Sequence, residues 1–156
     1  MKLSQRLHRL SPARRARLRS IRLFSHLSPD ELRHVDRLGR ETALPAGHVL
    51  IRQGDASRDF FVILKGAASV WRDGVLVARL GPGDYCGELA LLTDASRDAT
   101  VVAAQPVEAL VFDDGAFGEL LAAVPELTHE LLQRTVRRLR RAESAAALGE
   151  PVAASA

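Results

Sequence analysis

Residues 87–102 read Gly-Glu-Leu-Ala-Leu-Leu-Thr-Asp-Ala-Ser-Arg-Asp-Ala-Thr-Val-Val, and the rest of the chain is interpreted from this stretch. A glycine is followed by good helix formers, then by a polar loop, then by a β-branched run typical of a strand. A short helix that begins at Gly87 would direct its first unpaired backbone N–H groups outward, with the positive end of the helix dipole behind them. Such an arrangement binds anions, and a glycine lets the anion approach the backbone closely.

Two charged side chains in this stretch have the chemistry that a sugar phosphate requires. Glu88 lies in the first turn, where its carboxylate can accept hydrogen bonds from sugar hydroxyls. Arg97 follows the loop, where its planar guanidinium can bind a phosphate through two parallel hydrogen bonds. Each also has an ordinary explanation, because a first-turn glutamate suits the helix dipole and arginines are common on this chain's surface. Their ordered combination is what predicts a site.

The composition is that of a single globular domain. The 156 residues are 47% hydrophobic and 26% charged, and a chain of this length can bury a sizeable core. The single cysteine, Cys86, excludes a disulfide framework and a multi-cysteine metal site, and we expect it to be a small buried residue. Because long apolar runs are missing and residues 1–20 are highly charged, we expect a cytoplasmic protein without a membrane span.

The net charge of +3 conceals an uneven distribution. Residues 1–40 contain eleven lysines and arginines and three acids, which gives +8, and residues 41–156 contain eleven against sixteen, which gives −5. We separate residues 1–22 as a basic segment of two short helices, broken near Ser11-Pro12. Its arginines form either a solvated helix face or a contact with an acidic partner, and contact with a membrane surface stays open. We do not expect a nucleic-acid partner.

Periodicity predicts one helix and then a series of short strands. Ser28-Pro29-Asp30-Glu31 has the pattern of a helix N-terminus, so a helix should run from Pro29 to Leu38. Seven apolar runs with strand character follow, separated by turn residues such as Asp73-Gly74. These runs are residues 42–44, 49–51, 60–64, 68–71, 75–80, 99–103 and 107–112. They predict a small antiparallel β-barrel or jelly roll, and with the helices an α+β fold that is mainly β.

Two further helices are predicted after the strands. Helical spacing resumes at Ala116 and restarts at Pro125. The apolar stripe expected on the second helix consists of Leu127, Leu131, Leu132, Val136 and Leu139. Residues 144–156 lack a core-forming pattern, so we expect a disordered tail after a domain that spans residues 23–143.

Over residues 19–143 the chain resembles the cyclic-nucleotide-binding domain family, of the catabolite-activator and cyclic-AMP-dependent kinase regulatory-subunit type. Ile51-Arg-Gln-Gly-Asp55 and Asp59-Phe-Phe-Val-Ile-Leu-Lys-Gly66 resemble the first half of the family's barrel. Gly81-Pro-Gly-Asp-Tyr-Cys-Gly-Glu-Leu-Ala-Leu-Leu92 and Arg97-Asp-Ala-Thr-Val101 resemble its phosphate-binding cassette. The resemblance implies a β-barrel with an embedded phosphate-binding helix, flanked by N-terminal helices and two C-terminal helices.

The resemblance also implies a role for individual residues. Glu88 would bind the ribose 2′-hydroxyl, and Arg97 would bind the cyclic phosphate. The phosphate cradle would be completed by the backbone at Gly87, Leu89, Ala90, Asp98 and Ala99. The long C-terminal helix would cover the base, with Arg141 and Glu143 as lid candidates. Trp71 is expected in the core instead of against the base.

Two positions depart from the family's usual pattern. Ser96 replaces the proline that usually precedes the arginine, which should leave the loop less preorganised. Asp98 follows the arginine, where many cyclic-AMP binders have a small residue and cyclic-GMP binders often have threonine. A carboxylate there reduces the affinity for an anion unless it turns away or is paired. The missing threonine favours cyclic AMP over cyclic GMP.

We therefore predict a cyclic-AMP sensor that passes the binding signal through its N- and C-terminal helices to a protein partner. Catalysis, a metal and a cofactor are not expected, since the five histidines are scattered without triad or zinc spacing. The residues after the long helix are too few for a helix-turn-helix domain. The alternatives are a degenerate fold that serves only as a protein-interaction module, or a binder of cyclic GMP or cyclic di-GMP. A homodimer stays open.

Overall fold

The computed structural model describes residues 10–93 and 95–148, in which helices flank a β structure at both ends. The helices are α1 Pro12–Arg19, α2 Pro29–Leu38, α3 Glu88–Thr93, α4 Asp114–Ala123 and α5 Pro125–Leu148, with a 3₁₀ turn at Arg22–Phe24. The strands are β1 Arg40–Leu44, β2 Val49–Ile51, β3 Phe60–Lys65, β4 Ala68–Arg72, β5 Val75–Leu80, β6 Tyr85–Cys86, β7 Thr100–Ala103 and β8 Val107–Phe112.

The strands form two four-stranded antiparallel sheets, ordered β1-β8-β3-β6 and β2-β7-β4-β5. Apolar side chains from both sheets meet in one buried cluster that includes Ile63, Val70, Val101 and Ala109. This is a jelly roll, and the predicted α+β fold class is confirmed. None of the helices in the described residues is long and apolar enough to cross a membrane.

A second core joins the outer face of the first sheet to the helices. Because strand side chains alternate between faces, Phe61 and Ile63 of β3 enter the core between the sheets, and Phe60 and Val62 enter the core under the helices. This double burial explains why β3 is an unbroken apolar run. The ring of Phe60 lies 4.9 Å, centroid to centroid, from the ring of Phe117 in α4.

The N-terminal helices form as the sequence predicts. Ser28 and Glu31 make the reciprocal hydrogen bonds of a capping box at the start of α2, which ends at Leu38 as expected. Helix α1 begins at Pro12, at the predicted break, and Leu18 is buried in the core under the helices. The helix predicted before this break falls largely on residues 1–9, outside the described residues.

Two arginines of α1 bind acids of the protein itself. Arg14 Nε lies 2.7 Å from Asp36 Oδ1 of α2, and Arg14 Nη1 lies 2.7 Å from Glu41 Oε1 of β1. Arg17 Nη1 reaches the same Glu41 carboxylate at 3.0 Å, and Arg17 Nη2 lies 2.9 Å from Glu108 Oε2 of β8. Part of the basic charge of residues 1–22 is therefore used to dock α1 on the domain.

The structure corrects two expectations about buried side chains. Trp71 is 38% exposed and not a core residue. Side chains alternate along β4, and because Ala68 and Val70 enter the core between the sheets, Trp71 lies on the outer face of the strand. Only part of the predicted stripe on α5 is buried. Leu127 and Leu131 are covered, and the exposed members are Leu132, Val136 and Leu139. Those three lie on a neighbouring face of the helix, about 100° around its axis.

One strand was not predicted, and one helix extends beyond its predicted end. Strand β6, Tyr85–Cys86, was not predicted, because two residues are too few to show a strand's alternation. Tyr85 packs in the core under the helices and Cys86 in the core between the sheets. Helix α5 continues through residues 144–148, which the sequence assigned to the tail, and residues 149–156 lie outside the described part.

Candidate ligand-binding site

Gly87 connects β6 to α3 in a backbone conformation and a space that only glycine fits. Its φ angle is +97°, in the left-handed region that side-chain-bearing residues rarely adopt. A Cβ at this position would clash with the carbonyl oxygen of Asp59 and lie 3.1 Å from Nη1 of Arg97. The glycine thus lets the backbone before β3, the start of α3 and the Arg97 side chain meet at one point.

Arg97 lies at that point, with its guanidinium enclosed by protein. The residue is 4% exposed. Nη2 donates to the Asp59 carbonyl oxygen at 2.6 Å, Nη1 donates to the Gly87 carbonyl oxygen at 2.8 Å, and Nε donates to Ser57 Oγ at 3.4 Å. The loop that carries Arg97 is held by backbone bonds, since its N–H donates to Asp55 and its carbonyl accepts from Gly54.

In the described part of the chain, no carboxylate lies in direct contact with the guanidinium of Arg97. Within residues 10–93 and 95–148, its guanidinium makes no salt bridge, and its hydrogen-bond acceptors are the neutral oxygens just named. Burial lowers the pKa of Arg97, and the nearby acidic groups Asp59 and Glu88 partly oppose that shift. A buried cation without a counterion is costly, and an anion bound beside it would offset that cost.

Glu88, the first residue of α3, is the second buried charge of the site. It is 4% exposed, and its Oε1 accepts a hydrogen bond from Nη1 of Arg138 in α5 at 2.8 Å. Burial raises the pKa of Glu88, and the neighbouring Arg138 partly opposes that shift. The carboxylate keeps acceptor capacity beyond this one bond, because an ionised carboxylate has about four lone-pair sites.

Asp98, next to Arg97, is exposed and paired. Nη2 of Arg72, at the end of β4, lies 3.0 Å from its Oδ2, and Nε of Arg72 donates to its backbone carbonyl at 3.2 Å. The sequence required this carboxylate either to turn away or to be paired, and the structure shows it paired. Ala99, which follows, is buried in the core between the sheets.

The described residues thus bring a buried arginine without a salt-bridge partner and a buried glutamate together at Gly87. The family model of the cyclic nucleotide-binding domain matches residues 41–124, more than half of the chain. The chain belongs to this family.

Similar proteins include a kinase regulatory subunit, an acetyltransferase and a catabolite activator protein. The chain is 38% identical over 99 residues to the cAMP-dependent protein kinase regulatory subunit of Yarrowia lipolytica, covering 64% of this chain and 26% of that protein. It is 37% identical over 134 residues to the acetyltransferase Pat of Mycolicibacterium smegmatis, covering 83% of this chain and 40% of that protein. The catabolite activator protein of Thermus thermophilus has a TM-score of 0.73 at 29% identity, over 81% of this chain and 62% of that one. The chain spans less than half the length of either curated relative.

In this cyclic nucleotide-binding domain, the lid candidates and the observed contact differ. Arg141 and Glu143 are exposed side chains of α5, and the side chain of α5 that bonds to Glu88 is Arg138. Arg138 is not among the residues that the sequence pattern singled out. The sequence indicated only its helix face, because Arg138 follows the predicted apolar residue Leu131 by seven positions, and it did not indicate the partner Glu88.

The two residues of β6, which precede Gly87, are buried, and one of them contacts α5. The guanidinium carbon of Arg134 lies 5.8 Å from the ring centroid of Tyr85, a cation–π contact between α5 and the sheet. Burial raises the pKa of Tyr85 to about 12 and that of Cys86 to about 12. Both side chains are therefore neutral at pH 7, and the Cys86 thiol is a packing group as expected, not a nucleophile.

Arg58 connects α3 to α4. Its Nη1 and Nη2 donate to the carbonyl oxygens of Ala90 and Leu91 at 3.4 and 3.5 Å, and its Nε lies 3.1 Å from Oδ2 of Asp114 at the start of α4. Helix α3 is thus tied to α4 through Arg58 and to α5 through Glu88. No group of three or more metal-ligating side chains occurs in the part of the chain that the structure describes.

Proposed function

We propose that this domain binds cyclic AMP between α3 and the Arg97 loop and acts as a regulatory sensor. The observation that carries the proposal is the buried guanidinium of Arg97 without a carboxylate partner in the described residues. The singly charged cyclic phosphate would supply the missing anion, and the N–H groups of Leu89, Ala90, Asp98 and Ala99 would surround it. Gly87, which has a positive φ and no side chain, lets Arg97 lie against the start of α3.

Glu88 supports a ribose ligand over a simple phosphate. Its buried carboxylate accepts only one hydrogen bond from another residue in the described part, the bond from Arg138. The 2′-hydroxyl of a ribose whose phosphate sits on Arg97 would donate a second bond to it, and a buried charge–hydroxyl bond is strong. A 2′-deoxy nucleotide would leave this acceptor unused.

The preference for cyclic AMP rests on similarity and on one residue. The name of the Yarrowia lipolytica relative describes a cAMP-dependent kinase subunit. Asp98 occupies the position where the resemblance associates threonine with cyclic GMP, and its carboxylate is already engaged by Arg72. Cyclic GMP and cyclic di-GMP are the competing ligands.

The contacts of α3 indicate how binding would reach the rest of the domain. Ribose binding at Glu88 would alter the hydrogen bond between Glu88 and Arg138 of α5. Movement of α3 would also displace Arg58, which is paired with Asp114 of α4. Helices α4 and α1 share one core, so α1 would respond as well. We propose that this shift presents a new surface to a protein partner and that the domain regulates instead of catalysing.

Amide hydrogen exchange with and without saturating cyclic AMP tests this proposal. We expect slower exchange in residues 87–93 and 95–103, where the ligand sits, together with altered exchange in residues 10–22 and 114–148. In Arg138→Ala, protection of the cradle should persist and the response of α5 should shrink. If cyclic AMP protected only the cradle residues of the wild type, the proposed transmission from α3 to α1, α4 and α5 would be wrong. An unchanged exchange pattern throughout would favour the ligand-free interaction module.

A further inference from the structure

The hairpin formed by β4 and β5 carries an arginine that acts on the proposed site without belonging to its cradle. Arg72 is the last residue of β4, and its guanidinium donates hydrogen bonds to both the carboxylate and the backbone carbonyl of Asp98. We propose that Arg72 sets the affinity of the site for its anionic ligand, as a positioning residue that neutralises Asp98 and orients the peptide between Asp98 and Ala99. This inference rests on the proposed function.

The first part of the argument is electrostatic. Asp98 directly follows the buried arginine that would bind the phosphate, so its negative charge lies close to an incoming anion. Arg72 Nη2, 3.0 Å from Asp98 Oδ2, cancels that charge at short range. The two side chains are 45% and 54% exposed, so the attraction is partly screened and the pair stabilises the fold little. Its larger effect should appear on the anion.

The second part is geometric. The Asp98 carbonyl and the Ala99 N–H belong to the same peptide group, which is planar and trans, so they point in opposite directions. Because Nε of Arg72 holds the carbonyl at 3.2 Å, the N–H of Ala99 points away from Arg72. This N–H is one of the donors proposed for the phosphate. Arg72 therefore helps to preorganise a donor that it does not contact.

Arg72 is itself held in place by the next residue. Gln53 Nε2 donates to Asp73 Oδ1 at 2.8 Å, and the Asp73 N–H donates to Gln53 Oε1 at 3.0 Å. The neighbouring Gly54 N–H donates to the carbonyl of Arg97 at 2.8 Å. One loop after β2 thus fixes both the Arg97 backbone and the hairpin that carries Arg72.

A double-mutant cycle in cyclic-AMP affinity, measured by calorimetry at low and high salt, tests the proposal. We expect Arg72→Ala to weaken binding about five- to tenfold at low salt, because Asp98 is left unpaired beside the anion. Asp98→Ala should be neutral or bind up to about threefold more tightly, and adding it to Arg72→Ala should recover part of the loss. This recovery of affinity should be smaller at high salt, where the charges are screened. Arg72→Lys should keep the positive charge beside Asp98 but lose the hydrogen bond to the Asp98 carbonyl.

Arg79→Ala is the matched control, since it removes the same charge from an exposed position on β5. It should bind as the wild type does, and thermal unfolding should show that all variants are folded. Wild-type affinity in Arg72→Ala, or a loss that Asp98→Ala does not change, would overturn the role of Arg72. Absence of binding in both the wild type and Arg79→Ala would instead refute the proposed function.

Discussion

Replacing Arg97 by alanine is expected to weaken cyclic-AMP binding by about 1.5–3 kcal/mol, or roughly 10- to 150-fold. The guanidinium is buried and its charge is unmatched by any carboxylate in the described residues, so a bound phosphate gains a charge-assisted contact out of reach of water. Calorimetric titration of the variant against the wild type measures this loss directly.

The same substitution also affects stability, and a control must separate the two effects. Arg97 donates to the carbonyl oxygens of Gly87 and Asp59, which would lose buried partners in the alanine variant. Arg97→Lys keeps a cation but cannot make the same set of bonds, so it should bind with intermediate affinity. Unchanged affinity in a folded Arg97→Ala variant would show that the phosphate binds elsewhere.

Glu88→Gln is expected to weaken cyclic AMP by about 1–2 kcal/mol, and to weaken 2′-deoxy cyclic AMP much less. The reason is that the proposed partner of the carboxylate is the 2′-hydroxyl. Once one of these two groups is removed, the hydrogen bond is lost, so removing the other group should cost little further affinity. Calorimetry on the four combinations of protein and ligand gives the coupling energy.

Arg138 is the complication in this experiment, because Glu88→Gln also removes its carboxylate partner. The variant Arg138→Ala isolates that contribution. It leaves the Glu88 carboxylate in place, so the difference between cyclic AMP and its 2′-deoxy analogue should persist in it. Additive losses in the Glu88→Gln comparison would mean that Glu88 serves the helix terminus and not the ribose.

The sequence predicted those parts of the molecule that depend on neighbours along the chain. The capping box at Ser28 and Glu31 and the Asp73-Gly74 hairpin are local patterns, and the structure contains both. The unbroken apolar run of β3 is also a local pattern, and it indicated a buried strand. Glu88 and Arg97 could be singled out because the family's cassette is a continuous segment.

Contacts between distant parts of the chain could not be predicted in this way. Arg138 bonds to Glu88 across fifty positions, and Arg72 binds Asp98 across twenty-six. Both pairs depend on how α5 and the β4–β5 hairpin pack, which no local pattern encodes. Trp71 was wrongly placed in the core because its side chain is large and apolar, although it lies on the face of β4 opposite Ala68 and Val70.

The central claim is that the cradle between α3 and the Arg97 loop captures a cyclic nucleotide, and calorimetric titration of the whole chain with cyclic AMP and with 5′-AMP tests it most directly. Cyclic AMP should bind at one site per chain. The doubly charged, open phosphate of 5′-AMP should bind at least about tenfold more weakly, because a site shaped for a cyclic diester must desolvate the extra charge. Equal affinities, or no measurable heat with cyclic AMP, would contradict the account.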